Sequence, residues 1–322
     1  MMDPQAATKL LFFLFDLVLP LFVGYMLKHW KLVGEAKLSK LMVLAVLVLS
    51  PVLTLASVWV IRLDESLIWL PLFGIVMQLV PGLFEFYRTR HRYPDPRDRG
   101  SYIMSAALSN RGIVGMLSLY VLFGEIGYAY GRLIMLFGTA TVYGVCFPIG
   151  QYYHQLAQSD DGDTVSRPSI RSILFSKTQL PILGLIGGAA LNLYGVERPE
   201  QVGTAVPWMV HIFMWLAIMP IGHAIDIGEM KQYGRLVSGL LAVKFVFTPV
   251  VVGLLTIPFG FDPVVRNSLI VMACTPTAVN AVIVAKLHKL NEHLALTAFM
   301  LTTVVFLLIV FPILFVVLTV IG

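Results

Sequence analysis

Two short stretches of an otherwise apolar chain hold the residues able to do chemistry. The first is "LSNRGIVGMLS", residues 108–118, with Asn110, Arg111, Gly112 and Gly115 inside a run that should be Leu, Ile, Val and Phe. The second is "CTPTAVNAVIVAK", residues 274–286, with Thr275, Pro276, Thr277 and Asn280. Glycine in a helix interior costs about 1 kcal/mol relative to alanine, and arginine at the centre of a membrane helix costs roughly 2.5–3.5 kcal/mol on insertion scales. Pro276 removes one backbone donor and clashes with the preceding turn. Broken backbone persists in lipid only where it is buried in protein or lines a cavity, so both stretches are expected inside the molecule. Half-helices starting at such breaks aim N–H groups at the membrane midplane, a partial positive potential suited to an anion. Arg111 would add a full charge and a planar fork that fits a carboxylate. Structural alternatives stay open. Asn110 and Asn280 could close hydrogen bonds left by the breaks, Gly112 and Gly115 could serve close helix packing, and Arg111 could snorkel or sit at the cytoplasmic rim.

The elements that must position these residues follow from composition. Hydrophobic residues make up 58% of the 322 and charged residues only 13%, with a mean hydropathy of +0.84. Soluble chains carry about 25% charged residues, so the apolar excess has to face lipid. Apolar runs of spanning length occur at about 8–28, 38–60, 66–87, 101–121, 126–152, 178–196, 204–227, 235–259, 264–288 and 292–321. The expected fold is an all-α polytopic membrane protein of ten transmembrane helices. The first run continues past any signal-peptide core without a small-residue cleavage site, so it is read as a span. The net charge of +5 does not point to nucleic acid, because the cations crowd into short loops of one face. Lys28, Lys31, Lys37 and Lys40 follow span 1, and Arg88, Arg90, Arg92, Arg97 and Arg99 follow span 3. Arg167, Arg171 and Lys177 follow span 5, Lys231 and Arg235 span 7, and Lys286 and Lys289 span 9. The other loops hold Arg62, Arg198 and Arg266, one apiece. The positive-inside rule then places both termini outside.

A polar, acidic stretch at 155–172 marks the midpoint and prompts a search for a repeat. "LPLFVGYML" at 19–27 resembles "LPILGLIGG" at 180–188, and "LSPVL" at 49–53 and "MPIGH" at 219–223 each put a proline late in a second span. Gln78 precedes Pro81 in span 3 as Lys244 precedes Pro249 in span 8, and Thr139 to Pro148 matches Thr303 to Pro312. The division is a first five-helix repeat at 1–154, a cytoplasmic linker at 155–177 and a second repeat at 178–322. Five spans per repeat force opposite orientations, the inverted-repeat plan of secondary transporters, whose site lies where interrupted helices meet. Spans 4 and 9 are that pair.

At this point the chain resembles the auxin efflux carrier family of the bile acid/arginine/auxin transporter superfamily. The resemblance rests on "LPLFVGYMLKHWKLV", "SPVL", "SNRGIVG", "VKFVFTP" and "TPTAVNAVIVAK". It implies a bile-acid-symporter/sodium-proton-antiporter-like fold with crossing broken helices 4 and 9, and usually a homodimer. Helices 1, 2, 6 and 7 would form a scaffold, and helices 3–5 and 8–10 a transport domain that moves like an elevator. It also implies a small organic anion as substrate, such as malate, malonate or an auxin-like acid, and the bacterial cytoplasmic membrane as location. Lys244 matches a basic position of the family and either supports the crossover or meets substrate. Two features depart from the family pattern: Met116 rather than proline follows Gly115, and Arg111 is charged.

Gln78, Asn110, Arg111, Gly112, Gly115, Pro276, Thr277 and Asn280 are the expected substrate-binding residues, with Lys244 and Thr275 in support of the crossover. Spans 4 and 9 hold no carboxylate near their breaks; Asp16 and Asp226 are the nearest intramembrane acids, both in the expected scaffold. His211 and His223 read as packing histidines, Arg132 as a snorkelling cation, and Cys146 and Cys274 as packing residues. No metal-binding cluster, Ser/Asp pair or acidic diphosphate motif appears, so neither enzyme, metal nor cofactor is expected. The competing readings are a sodium- or proton-coupled symporter of bile-acid type, which needs an acidic site, and a sensor that keeps the fold without transport.

Overall fold

A computed structural model describes residues 8, 11–62, 65–90, 92–158, 180–225 and 227–318. Most of the 155–177 linker, with Arg167, Arg171 and Lys177, lies outside the described residues, as do Asp226 and the side chains of Thr139 and Lys231. The described chain is about 85% helical without a strand. Seven of its helices are long and apolar enough to cross a membrane: α1 Leu11–His29, α2 Glu35–Val58, α3 Glu65–Arg88, α5 Arg111–Ile134, α8 Glu200–Ala224, α10 Gly239–Phe259 and α13 Glu292–Val316. Between them lie α4 Pro96–Ala107, α6 at 138–157, α7 Leu180–Leu193, α9 Ile227–Val237, α11 Pro263–Ala273 and α12 Val279–Leu287. The protein is an all-α integral membrane protein. Helix α9 replaces the loop expected there; it packs against α13, and Tyr93 Oη donates to its Leu236 carbonyl at 2.7 Å.

Helix α5 is not a straight rod. Gly124 has φ 65° and ψ −149°, which no helix tolerates. A Cβ added to Gly131 would lie 2.6 Å from Met116 Sδ, and one on Gly127 2.6 Å from the Leu119 carbonyl oxygen. In a continuous helix those residues would stand about 22 Å and 12 Å apart. The chain therefore doubles back at Gly124, where the sequence places the boundary between its fourth and fifth apolar runs.

Prolines inside the apolar helices are absorbed rather than used as stops. Five π-helical turns, at Leu14–Val18, Ala45–Leu49, Val142–Cys146, Val243–Phe247 and Phe306–Val310, each end two residues before a proline. Proline lacks the N–H that would bond four residues back and pushes that carbonyl away; one wider turn accommodates both effects. A sixth such turn, Arg111–Gly115, has a different cause and opens α5.

Two close parallel crossings hold the part of the molecule that contains no break. A Cβ on Gly24 of α1 would meet the Met219 carbonyl of α8 at 2.0 Å, and one on Gly222 of α8 would meet that of Leu21 at 2.0 Å. On the other pair, Cβ atoms added to Gly184 and Gly188 of α7 would lie 2.2 and 2.5 Å from the Pro51 and Leu55 carbonyl oxygens of α2. Without a hydrophobic drive between helices in lipid, such backbone approach supplies the packing energy. Asn192 Nδ2 seals the α7 end by donating to the Trp59 and Ile61 carbonyls, each at 2.7 Å. Arg132 does not snorkel: it is buried and donates to Ser50 Oγ at 2.5 Å and Tyr128 Oη at 2.7 Å.

Candidate functional site

The two interrupted stretches meet. Helix α4 stops at Ala107 and α5 starts at Arg111, while α11 stops at Ala273 and α12 starts at Val279. Pro276 disfavours helical backbone at Thr275, and Asn110 (φ −78°, ψ 54°) and Ala278 (φ −84°, ψ 152°) are both non-helical. The two unwound segments cross antiparallel, with Ser109 opposite Thr277. Asn110 N–H donates to the Pro276 carbonyl at 2.7 Å, and Ala278 N–H donates to that of Leu108 at 2.9 Å. Each break thus satisfies backbone groups that the other leaves open, as a low-dielectric interior demands.

Side chains complete the crossing. Thr277 Oγ1 donates to the Ser105 carbonyl at 3.0 Å, while Thr277 N–H donates to Thr302 Oγ1 at 2.9 Å. Thr275 Oγ1 donates to the Met272 carbonyl at 2.8 Å. Lys244, fully buried on α10, donates to Ser109 Oγ at 2.7 Å and to the Leu108 carbonyl at 3.3 Å. Its Nζ thus bridges from α10 to the first break. Gly115 lies under Met272 Sδ and Thr275 Cγ2, which a Cβ would meet at 2.7 and 2.8 Å; Gly112 faces only the tip of Met135.

Arg111 is 5% exposed, so it neither snorkels nor lines a rim. Nη1 donates to the Gly74 carbonyl at 2.9 Å and Nη2 to Gln78 Oε1 at 3.0 Å, both on α3. These bonds use two of the five N–H donors of the guanidinium. Gln78 Nε2 in turn approaches Cys146 Sγ at 3.5 Å. The buried carboxylates are engaged elsewhere: Asp16 by His211 at 2.6 Å and Glu85 by Arg88 at 2.8 Å. Among the described residues, Arg111 and Lys244 thus lack an acidic partner. An uncompensated buried ion costs several kcal/mol.

The crossing separates two cavities. One, of about 290 Å³, is lined by Gln78, Ser109, Arg111, Asn280 and Phe147, near the low end of ligand-pocket size. The other, of about 210 Å³, has Asn110, Ile113 and Val279 on one wall and Ser39, Pro220 and His223 of α2 and α8 on the other. The expected site residues therefore divide. Gln78, Arg111 and Asn280 share the first cavity, and Asn110 faces the second, because successive residues of an extended segment point to opposite sides. Thr275, Pro276 and Thr277 line neither cavity; they build the crossing. Ser109 and the Gly74 carbonyl join the site without a signal of their own in the sequence. No protein-family model matches the chain, and a comparison with curated proteins finds no match.

Proposed function

We propose that the protein is a secondary carrier of a small organic anion, of the auxin efflux carrier type. In this reading the helices form ten spans. On that reading α4 with 111–123 is span 4 and 125–157 is span 5, divided at Gly124, and α11 with α12 is span 9. The inverted repeat draws support from the two parallel glycine crossings: exchanging the halves converts the α1–α8 pair into the α7–α2 pair. Helices α1, α2, α7 and α8 are then the scaffold, and α3–α6 and α10–α13 carry the crossing past it. The 210 Å³ cleft lies at that boundary, and Glu35 and His223 on its lining belong to the inner ends of their spans, in keeping with an inward-open state.

The observation that carries the anion class is the Arg111 charge, desolvated, without a carboxylate partner and with three donors unspent beside a 290 Å³ cavity. An incoming carboxylate would supply the missing countercharge and accept the free N–H groups. Gln78, Ser109 and Asn280 offer neutral polar contacts around it. Counterflow of labelled malonate, malate and indole-3-acetate in proteoliposomes tests the reading. The expected result is exchange with the native protein and a loss of about 10- to 100-fold with Arg111→Ala, the scale of a charge-assisted hydrogen bond. Unchanged exchange in a folded Arg111→Ala protein would overturn the role of Arg111, and absence of all exchange would overturn the carrier.

A further inference from the structure

Asp16 and His211, which look unrelated in the sequence, form a buried pair across the α1–α8 crossing. His211 Nδ1 lies 2.6 Å from Asp16 Oδ2. The Asp16 side chain is 1% exposed and that of His211 27% exposed. Asp16 Oδ1 is buried and has no hydrogen-bond partner; Trp215 faces the carboxylate without meeting hydrogen-bond geometry. Asp16 stands thirteen residues before His29, and His211 thirteen before Ala224. At 1.5 Å per residue both are roughly 20 Å from the inner ends of their helices, well inside a core about 30 Å thick.

A carboxylate and an imidazole in contact hold one proton between them and are then neutral together. Without that proton the pair is a buried net negative charge, with one oxygen already unsatisfied. Arginine or lysine would make the pair a fixed ion pair, but the described groups in electrostatic contact with Asp16 are only His211 and Trp215 of α8 and Tyr120 of α5. The other acid near Tyr120, Glu125, is held by Arg198 at 2.5 Å. The same turn touches the body proposed to move: Phe13 stacks on Phe311 of α13 with centroids 4.8 Å apart, and Tyr120 faces Asp16 from α5.

We infer that Asp16 and His211 are a one-proton site that couples anion movement to protons, loading and releasing as α5 and α13 pass the turn. The inference rests on the carrier reading above, and two measurements keep the failures separate. Counterflow of labelled malonate needs no gradient, whereas accumulation driven by an imposed pH gradient needs the site. Asp16→Asn and His211→Gln should each keep counterflow and lose gradient-driven accumulation. Accumulation retained in either folded variant, or native accumulation indifferent to an imposed pH gradient, would overturn the coupling role. If the native protein exchanges none of malonate, malate and indole-3-acetate, the carrier reading fails, and nuclear magnetic resonance titration of labelled histidine in the purified protein still tests the proton site. The signal lost in His211→Gln identifies His211, and its titration should shift in Asp16→Asn. A His211 signal that titrates identically with and without the carboxylate would overturn the pair.

Discussion

The two breaks share one geometry and differ in chemistry. The first, at 108–110, carries Ser109 and Asn110 and is followed by Arg111 and by Gly112 and Gly115. The second, at 274–278, is made by Pro276 between two threonines and is followed by Val279. Both unwind a helix for a few residues, and each supplies one carbonyl and one N–H to the other. Yet the proline break has its polar side chains consumed by protein, whereas the first places Ser109 and Arg111 on a cavity. The proline break is closed by Thr302 of α13 and the Ser105 carbonyl of α4, which take up both the N–H and the hydroxyl of Thr277. A break made with asparagine, arginine and glycine needs help from outside its own helix, and Lys244 and α3 provide it.

That contrast can be broken experimentally, beginning with the two cations. Lys244→Ala removes the clamp on Ser109 and opens a void in a fully buried position; thermal unfolding in detergent should show a loss of about 2–5 kcal/mol. Arg111→Ala should leave stability within about 1–2 kcal/mol of native, because it removes a desolvated charge along with its hydrogen bonds, even as exchange falls. Equal stability losses in the two variants would erase the distinction between the two basic side chains. The glycines come next. Gly115→Ala forces Met272 and Thr275 apart and should cost about 1–3 kcal/mol, while Gly112→Ala meets only the flexible end of Met135, 3.3 Å away, and should stay within about 1 kcal/mol. A comparably small effect is expected at the proline break. Thr277→Val deletes the bond to the Ser105 carbonyl but keeps its N–H bond to Thr302, so about 0.6–1 kcal/mol is expected. A larger loss would mean that the second break also depends on a side chain for its shape.

Much of this was legible in the residues because the membrane punishes exceptions. Asn110, Arg111 and Pro276 are costly in lipid, so their presence in apolar runs announced interior positions, and both stretches do meet there. The partner of Lys244 was legible only in part: a buried lysine must find acceptors, but nothing in "VKFVFTP" says that they are Ser109 and Leu108. Arg132 illustrates the opposite outcome. Its place near a helix end favoured snorkelling, but Ser50 and Tyr128 approach from two directions and bury it. The pairing of Asp16 with His211 was invisible, since each looks like a single polar residue on its own apolar helix.

Composition and hydropathy by themselves determined that this chain lives in a membrane as helices, because apolar runs of about twenty residues have the length of a spanning helix, whose backbone groups are all bonded within the run. The cost of breaking a helix there also determined which residues had to be interior. The tertiary structure alone decided the sides. Adjacent residues of an unwound segment point in opposite directions, so Asn110 faces α2 and α8 while Arg111 faces α3, and no spacing along the chain records which neighbour waits on each side. It alone also decided that Gly124 turns the chain and that two lone polar residues share a proton's distance, because contacts between helices depend on rotation and depth.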